Sequence, residues 1–149
     1  MKIKFTASWL PLSPLIRLWT WSKCSHCEFE FSDGMIIVPA MEAGRVIATK
    51  NRKYTWEYVY DIPITKRQER IIRKWAEDQI GKPYDYTALA PLNVLIPRTK
   101  DQWKDDELWM CSEFCARALE LVGFKYFPDN HKKISPGDLM KAFTKDKRI

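Results

Sequence analysis

The chain has 149 residues, enough for one domain with its own core and too few for two comfortable ones. With 46% hydrophobic and 13% aromatic residues it reads as packed and globular, which excludes a disordered chain. Its net charge of +6 favours anionic partners such as nucleic acid, phospholipid headgroups or cell-wall polymers without choosing among them, and no specific nucleic-acid partner is expected. Lys66, Arg67, Arg70, Arg73 and Lys74 are the densest basic group and read as a solvated face.

No stretch reaches the roughly 18 apolar residues of a membrane helix, so no transmembrane segment is expected. Residues 9–21 are mostly apolar, but Pro11, Pro14 and Arg17 interrupt them and no small-residue cleavage site follows, which argues against a signal peptide. Trp9, Trp19 and Trp21 belong either to the core or to an anionic interface. Four cysteines without an export signal suggest a reducing, cytoplasmic compartment.

The first half reads mainly as strands. Residues 3–6 form a short β-prone run, and residues 14–21 suit one or two helical turns. Residues 27–31 alternate in polarity before Ser32, Asp33 and Gly34 supply a tight turn into residues 35–38. Strands over 45–49 and 54–61 follow, with Asn51, Arg52 and Lys53 as the expected hairpin loop; Trp56, Tyr58 and Tyr60 share one face of the second. The second half turns helical. Thr65 and Gln68 have the spacing of a capping box, Ile71, Ile72, Trp75 and Ile80 recur near helical spacing, and Gly81 with Pro83 ends that helix. A polar loop over 98–106 leads to a helix over 110–122, and Pro136 opens a last one. Strands followed by helices imply a single α+β domain with an antiparallel sheet packed against helices.

The reactive inventory is four cysteines and two histidines. Cys111, Cys115, Ala118 and Val122 share one helix face, which is expected to meet the sheet, and Cys115 reads as a small core residue. Cys111 sits at the helix start, where unsatisfied amides and the dipole favour a thiolate and lower its pKa. The same amides suit an oxyanion. His26, Glu28 and Glu30 point to one side of their strand and Cys27, Phe29 and Phe31 to the other. His26 is then either a surface histidine or, if its face looks onto the Cys111 helix, the base for that thiol. His131 falls in a polar loop and is expected to be inert. A competing constellation joins Cys24, Cys27, Cys111 and Cys115, or three of them with His26, in a structural zinc site. The first spacing suits zinc, but the second is poor and Cys27 lies on an alternating strand instead of a knuckle.

Around His26 (Ser25 to Glu28) and Cys111 (Trp109 to Glu113) the chain resembles the YiiX-like branch of the NlpC superfamily of papain-like cysteine hydrolases, which includes small phage-encoded members. Residues 31–34, the Gly81-Lys82-Pro83-Tyr84-Asp85 stretch and the Ser135-Pro136-Gly137-Asp138-Leu139 stretch add to that likeness in the same order. The resemblance implies a circularly permuted papain-like fold, in which the histidine strand precedes a helix that begins with the nucleophile. It implies Cys111 as nucleophile, His26 as general base and Tyr84 as an oxyanion or positioning group. Relatives carry a third polar group that orients the histidine; Glu28 takes that place here, with Glu42 in reserve. The expected activity is that of a cysteine peptidase, amidase, esterase or acyltransferase working through an acyl-enzyme, with no metal or organic cofactor. Its substrate would be a small acyl, peptide or lipid compound, or a cell-wall peptide reached from the cytoplasm or a virion. The alternatives are a catalytically silent phage structural or host-interaction protein, and the zinc-binding interaction module.

Overall fold

The structure, a computed structural model, describes residues 1–7, 18, 23–50, 52, 54, 56–86, 107–124 and 134–145. The helical turns expected over 14–21, the Trp9, Trp19 and Trp21 cluster, the polar loop over 98–106 and His131 lie outside the described residues. Five strands, β1 (Lys2–Ala7), β2 (His26–Glu30), β3 (Ile36–Ala40), β4 (Arg45–Thr49) and β5 (Trp56–Asp61), form one sheet in the order β4-β3-β2-β1-β5. Every pairing among these five strands is antiparallel. The alternation read along β2 is what the sheet uses. Cys27 and Phe29 lie opposite Phe5 and Ile3 of β1 on a buried apolar face, while Glu28 and Glu30 lie opposite Lys4 and Lys2 on the other.

One expected connection is wrong. β4 and β5 do not form a hairpin: they occupy opposite edges of the sheet, and the chain between them crosses over it. Two pairings explain this. β5 sets Tyr60 and Tyr58 opposite Ile3 and Phe5 of β1, extending the apolar face, with the Phe5 and Tyr60 rings 5.9 Å apart. The outer edge of β4 is taken instead by the segment after the first helix. There Gly81 N donates to Val46 O (3.0 Å), Val46 N to Lys82 O (2.9 Å) and Tyr84 N to Gly44 O (2.8 Å).

Among the described residues three helices cover the apolar face. In α1 (Lys66–Asp78) the capping box is complete: Gln68 N donates to the Thr65 hydroxyl (3.2 Å) and Thr65 N to the Gln68 side chain (2.9 Å). Ile72 and Ala76 are its buried residues, and Trp75 stacks within 5.3 Å of Trp109 and 4.8 Å of Phe114. Ile71 and Ile80, expected on the same stripe, are instead exposed (43% and 45%), because Trp75 and Ile72 set the inward direction. Helix α2 (Cys111–Glu120) starts after Met110 and is buried on more than the single face expected: Ser112, Glu113 and Phe114 are as inaccessible as Cys111 and Cys115. It lies between the sheet and the other two helices. Helix α3 (Pro136–Lys145) begins with Pro136 and is capped by Ser135, whose hydroxyl accepts from Asp138 N (3.1 Å); its Phe143 ring reaches Phe5 at 5.8 Å. Among the described residues no helix is long and apolar enough to cross a membrane.

The box ties α1 to the far end of α2, since the Gln68 amide donates to Val122 O (3.1 Å). Thr65→Ala is therefore expected to lower unfolding free energy by about 1 kcal/mol, with Thr65→Ser close to wild type, as read from urea denaturation midpoints.

Candidate active site

The site lies where the sheet opens. β2 and β3 pair only at Phe29 with Ile37 and Glu30 with Ile36, so His26, Cys27 and Glu28 are bonded to β1 alone on that side of the register. Pro39 of β3, which has no N–H, falls in the stretch that does not pair with β2. Helix α2 packs against both strands at this opening, and its first residue, Cys111, meets His26, the first residue of β2. The thiol and the imidazole lie close enough for each to act on the other's charge. The imidazole Nε2 has no hydrogen-bond partner among the described residues and faces Glu28 Oε2 at 3.5 Å.

Glu28 is fully buried on the same strand face as His26. The crossover between β4 and β5 passes over it and supplies Arg52, whose Nε lies 3.6 Å from the same oxygen, Oε2. Arg52 Nη2 donates to Glu42 Oε1 at 2.6 Å, and its guanidinium lies over the Tyr54 ring at 5.8 Å. Glu42, the reserve for orienting His26, thus binds Arg52.

On the other side of the opening the thiols gather: Cys111, Cys115 and Cys24 are all close enough to act on Cys27. All four cysteines are buried and none is in a disulfide. No group of three or more His, Cys, Asp or Glu among the described residues is disposed to hold a metal ion. Tyr84, buried, is brought in by the edge pairing of residues 81–84 and by Trp109 N donating to Pro83 O (3.2 Å); it lies in the field of Cys111 and Cys27. That pairing needs Gly44, whose left-handed φ of 66° turns its carbonyl onto Tyr84 N. The N-cap residue, Met110, offers no side-chain cap, so the first amides of α2 are not engaged by it.

The charges follow from these contacts. Burial opposes a charge on His26, but the Cys111 sulfur and the Glu28 carboxylate outweigh it and raise the imidazole to about 9. Burial likewise opposes ionisation of Glu28, yet His26, Tyr54 and Arg52 hold its carboxyl below the usual range. The lowered pKa expected for Cys111 is reversed. The neighbouring Cys27 and burial push the thiol well above its ordinary value, and His26 pulls the other way. Burial raises Tyr84 strongly, with the Cys111 charge adding to it, so its hydroxyl stays protonated.

The structure therefore brings Cys111, His26, Glu28 and Tyr84 together. Arg52, Tyr54 and the influence of Cys27 escaped the sequence reading. The expected hairpin had put Arg52 at a loop tip, and Cys27 counted only as core.

No family model matches the chain, and no curated protein does either. Among solved structures, the fold is similar to that of YiiX from Escherichia coli O157:H7, which is described as a metalloprotein. The two share 17% sequence identity with a TM-score of 0.53, over 97% of this chain and 82% of the other. The likeness concerns the fold: a mixed α+β domain with a five-stranded antiparallel sheet and three described helices.

If Cys27 holds the Cys111 thiol protonated, Cys27→Ala should speed iodoacetamide labelling of Cys111 at pH 7 several-fold. His26→Ala should slow it by a similar factor, because it removes the pull towards thiolate. Peptide mass spectrometry on the folded variants reads both effects.

Proposed function

We propose that the protein is a cysteine-nucleophile hydrolase or acyltransferase with a permuted papain-like arrangement, in which Cys111 attacks a carbonyl and His26 moves its proton. The observation that carries this reading is the ordered contact of Cys111 with His26 and of His26 with Glu28 at a helix start. The imidazole takes the thiol proton, and sulfur adds to the carbonyl carbon of an amide, ester or thioester. The amides at the start of α2, which the Met110 side chain does not cap, and the protonated Tyr84 hydroxyl suit the developing oxyanion. His26 then protonates the leaving group, and water or another acceptor releases the acyl-enzyme. Glu28 keeps the imidazole turned towards the sulfur and balances its charge during transfer. No step needs an organic cofactor.

The test is a panel of N-acyl amino acids, lipid esters and peptidoglycan fragments. Turnover should fall at least about a thousandfold in Cys111→Ala, and an acyl adduct on Cys111 should appear in the intact-protein mass. Acyl release that survives Cys111→Ala would refute the assignment. The pH profile has a definite sign. The base must be neutral to accept the thiol proton, and Glu28 holds the proton on His26 to higher pH, so kcat/KM should climb with pH to a midpoint above the ordinary histidine value. A limb near the ordinary histidine value would mean that Glu28 and Cys111 do not act on His26 as placed.

The structural neighbour's description as a metalloprotein motivates one further measurement. If the thiols serve chemistry and packing, prolonged dialysis against EDTA leaves the melting temperature and Cys111 labelling unchanged. One equivalent of zinc with a chelator-sensitive fold would support the zinc-binding module instead.

A further inference from the structure

Glu28 is reached by charged and titratable groups from every element around it. His26 lies on its own strand. Lys4, its cross-strand partner on β1, bridges Glu30 (2.5 Å) and Glu57 (3.1 Å) instead. From α2, Cys115 feels the Glu28 charge, while Cys111 meets His26. Arg52 and Tyr54 come from the crossover, and Glu42, from the 3-10 turn Met41–Ala43, stands behind Arg52. Among the described residues the cation available to the carboxylate besides His26 is therefore Arg52, not its nearer neighbour in the register. Arg52 is well placed to stay there. Its side chain is 12% exposed, Glu42 holds Nη2, the Tyr54 ring lies beneath the guanidinium, and Nη1 is buried with no hydrogen-bond partner among the described residues.

Resting on the hydrolase reading above, we propose that Arg52 is a positioning residue. Tethered by Glu42, its guanidinium fixes the Glu28 carboxylate beneath His26 and shares the one oxygen, Oε2, that the imidazole faces. Sharing has two consequences. A carboxylate held from both sides keeps one orientation, and with it the imidazole keeps its edge towards Cys111. A fixed positive charge on that oxygen also weakens the hold of Glu28 on the imidazolium, so His26 gives up its proton more readily than it would beside Glu28 alone.

The experiment uses the whole protein and iodoacetamide, and follows the rate of Cys111 alkylation from pH 6 to 10 beside the His26 imidazole titration by NMR. Arg52→Gln should move both midpoints to higher pH by about half a unit, roughly threefold slower alkylation below the midpoint. Glu28→Gln should move them to lower pH, and the double variant should behave as Glu28→Gln alone, because Arg52 acts through that carboxylate. Arg52→Lys keeps the charge but cannot span both carboxylates. It should shift the midpoints in the same direction by less, and it carries the test where Arg52→Gln does not fold. Midpoints that stay put in folded Arg52 variants, or an Arg52 effect that persists undiminished beside Glu28→Gln, would overturn the proposal. Alkylation that shows no dependence on His26 even in the wild-type background would instead overturn the hydrolase reading itself.

Discussion

Glu28 is an ionised carboxylate with no exposed surface, set among strands at the centre of the sheet, and much of the surrounding architecture follows from that burial. An isolated charge in such a place would be far too costly to keep, so the chain must bring cations to it. The alternation of β2 puts His26 beside it on the same face. The crossover between β4 and β5 puts Arg52 there from a distant part of the chain. A hairpin at residues 51–53 would have left Arg52 in solvent and Glu28 with the imidazole alone. The topology of the sheet and the electrostatics of the site are in this sense one constraint, met by one connection.

The second constraint is the opening between β2 and β3. A strand buried on both sides hides its side chains from chemistry, and His26 can reach a helix on the opposite face only because the ladder stops at Phe29. Pro39 contributes no donor in that stretch, and the outer edge of β4 is occupied by residues 81–84, so the opening persists without leaving a long bare edge on that side. That edge pairing also delivers Tyr84 to the thiols. The site thus draws on four separate pieces of chain: β2, the start of α2, the segment after α1 and the crossover.

Features written in local spacing were legible in the sequence. The two-residue period of β2 separated His26 and Glu28 from Cys27 and Phe29. Thr65 and Gln68 announced the start of α1, and the position of Cys111 at a helix start needed only the boundary of α2. What was not legible depends on partners far apart in the chain. Residues 45–61 look the same whether two strands pair with each other or lie at opposite edges, because a short polar loop suits both, and only the pairing of Tyr58 and Tyr60 with β1 decides. Arg52 was lost with that choice. The exposure of Ile71 and Ile80 had a similar origin: helical spacing allowed two stripes, and contact of Trp75 with Trp109 and Phe114 selected one. The direction of the Cys111 shift depended on Cys27, far earlier in the chain. Helix-start reasoning accounts for the dipole and says nothing of a neighbouring buried thiol.

Cys27, Cys111 and Cys115 are the same chemical group in the same dry surroundings, and burial raises all three. Reactivity must therefore come from what distinguishes them. Cys115 lies a full turn inside α2, where its neighbouring amides are bonded within the helix, and Cys27 lies in the β1–β2 ladder. Cys111 has a helix start that Met110 does not cap with its side chain, and His26 beside it as the cation that favours its thiolate. A proton leaving Cys111 therefore has a nearby acceptor, and the sulfur left behind has a positive neighbour. At neutral pH that advantage is latent, since His26 already carries its proton and Cys27 helps keep Cys111 in the thiol form. The pair becomes nucleophilic only when one proton is lost from it, and how readily that happens depends on how firmly Glu28 grips the imidazolium. Because Arg52 competes for the same carboxylate oxygen, the crossover that makes burial of Glu28 tolerable also bears on the reactivity of a thiol on the far side of the sheet.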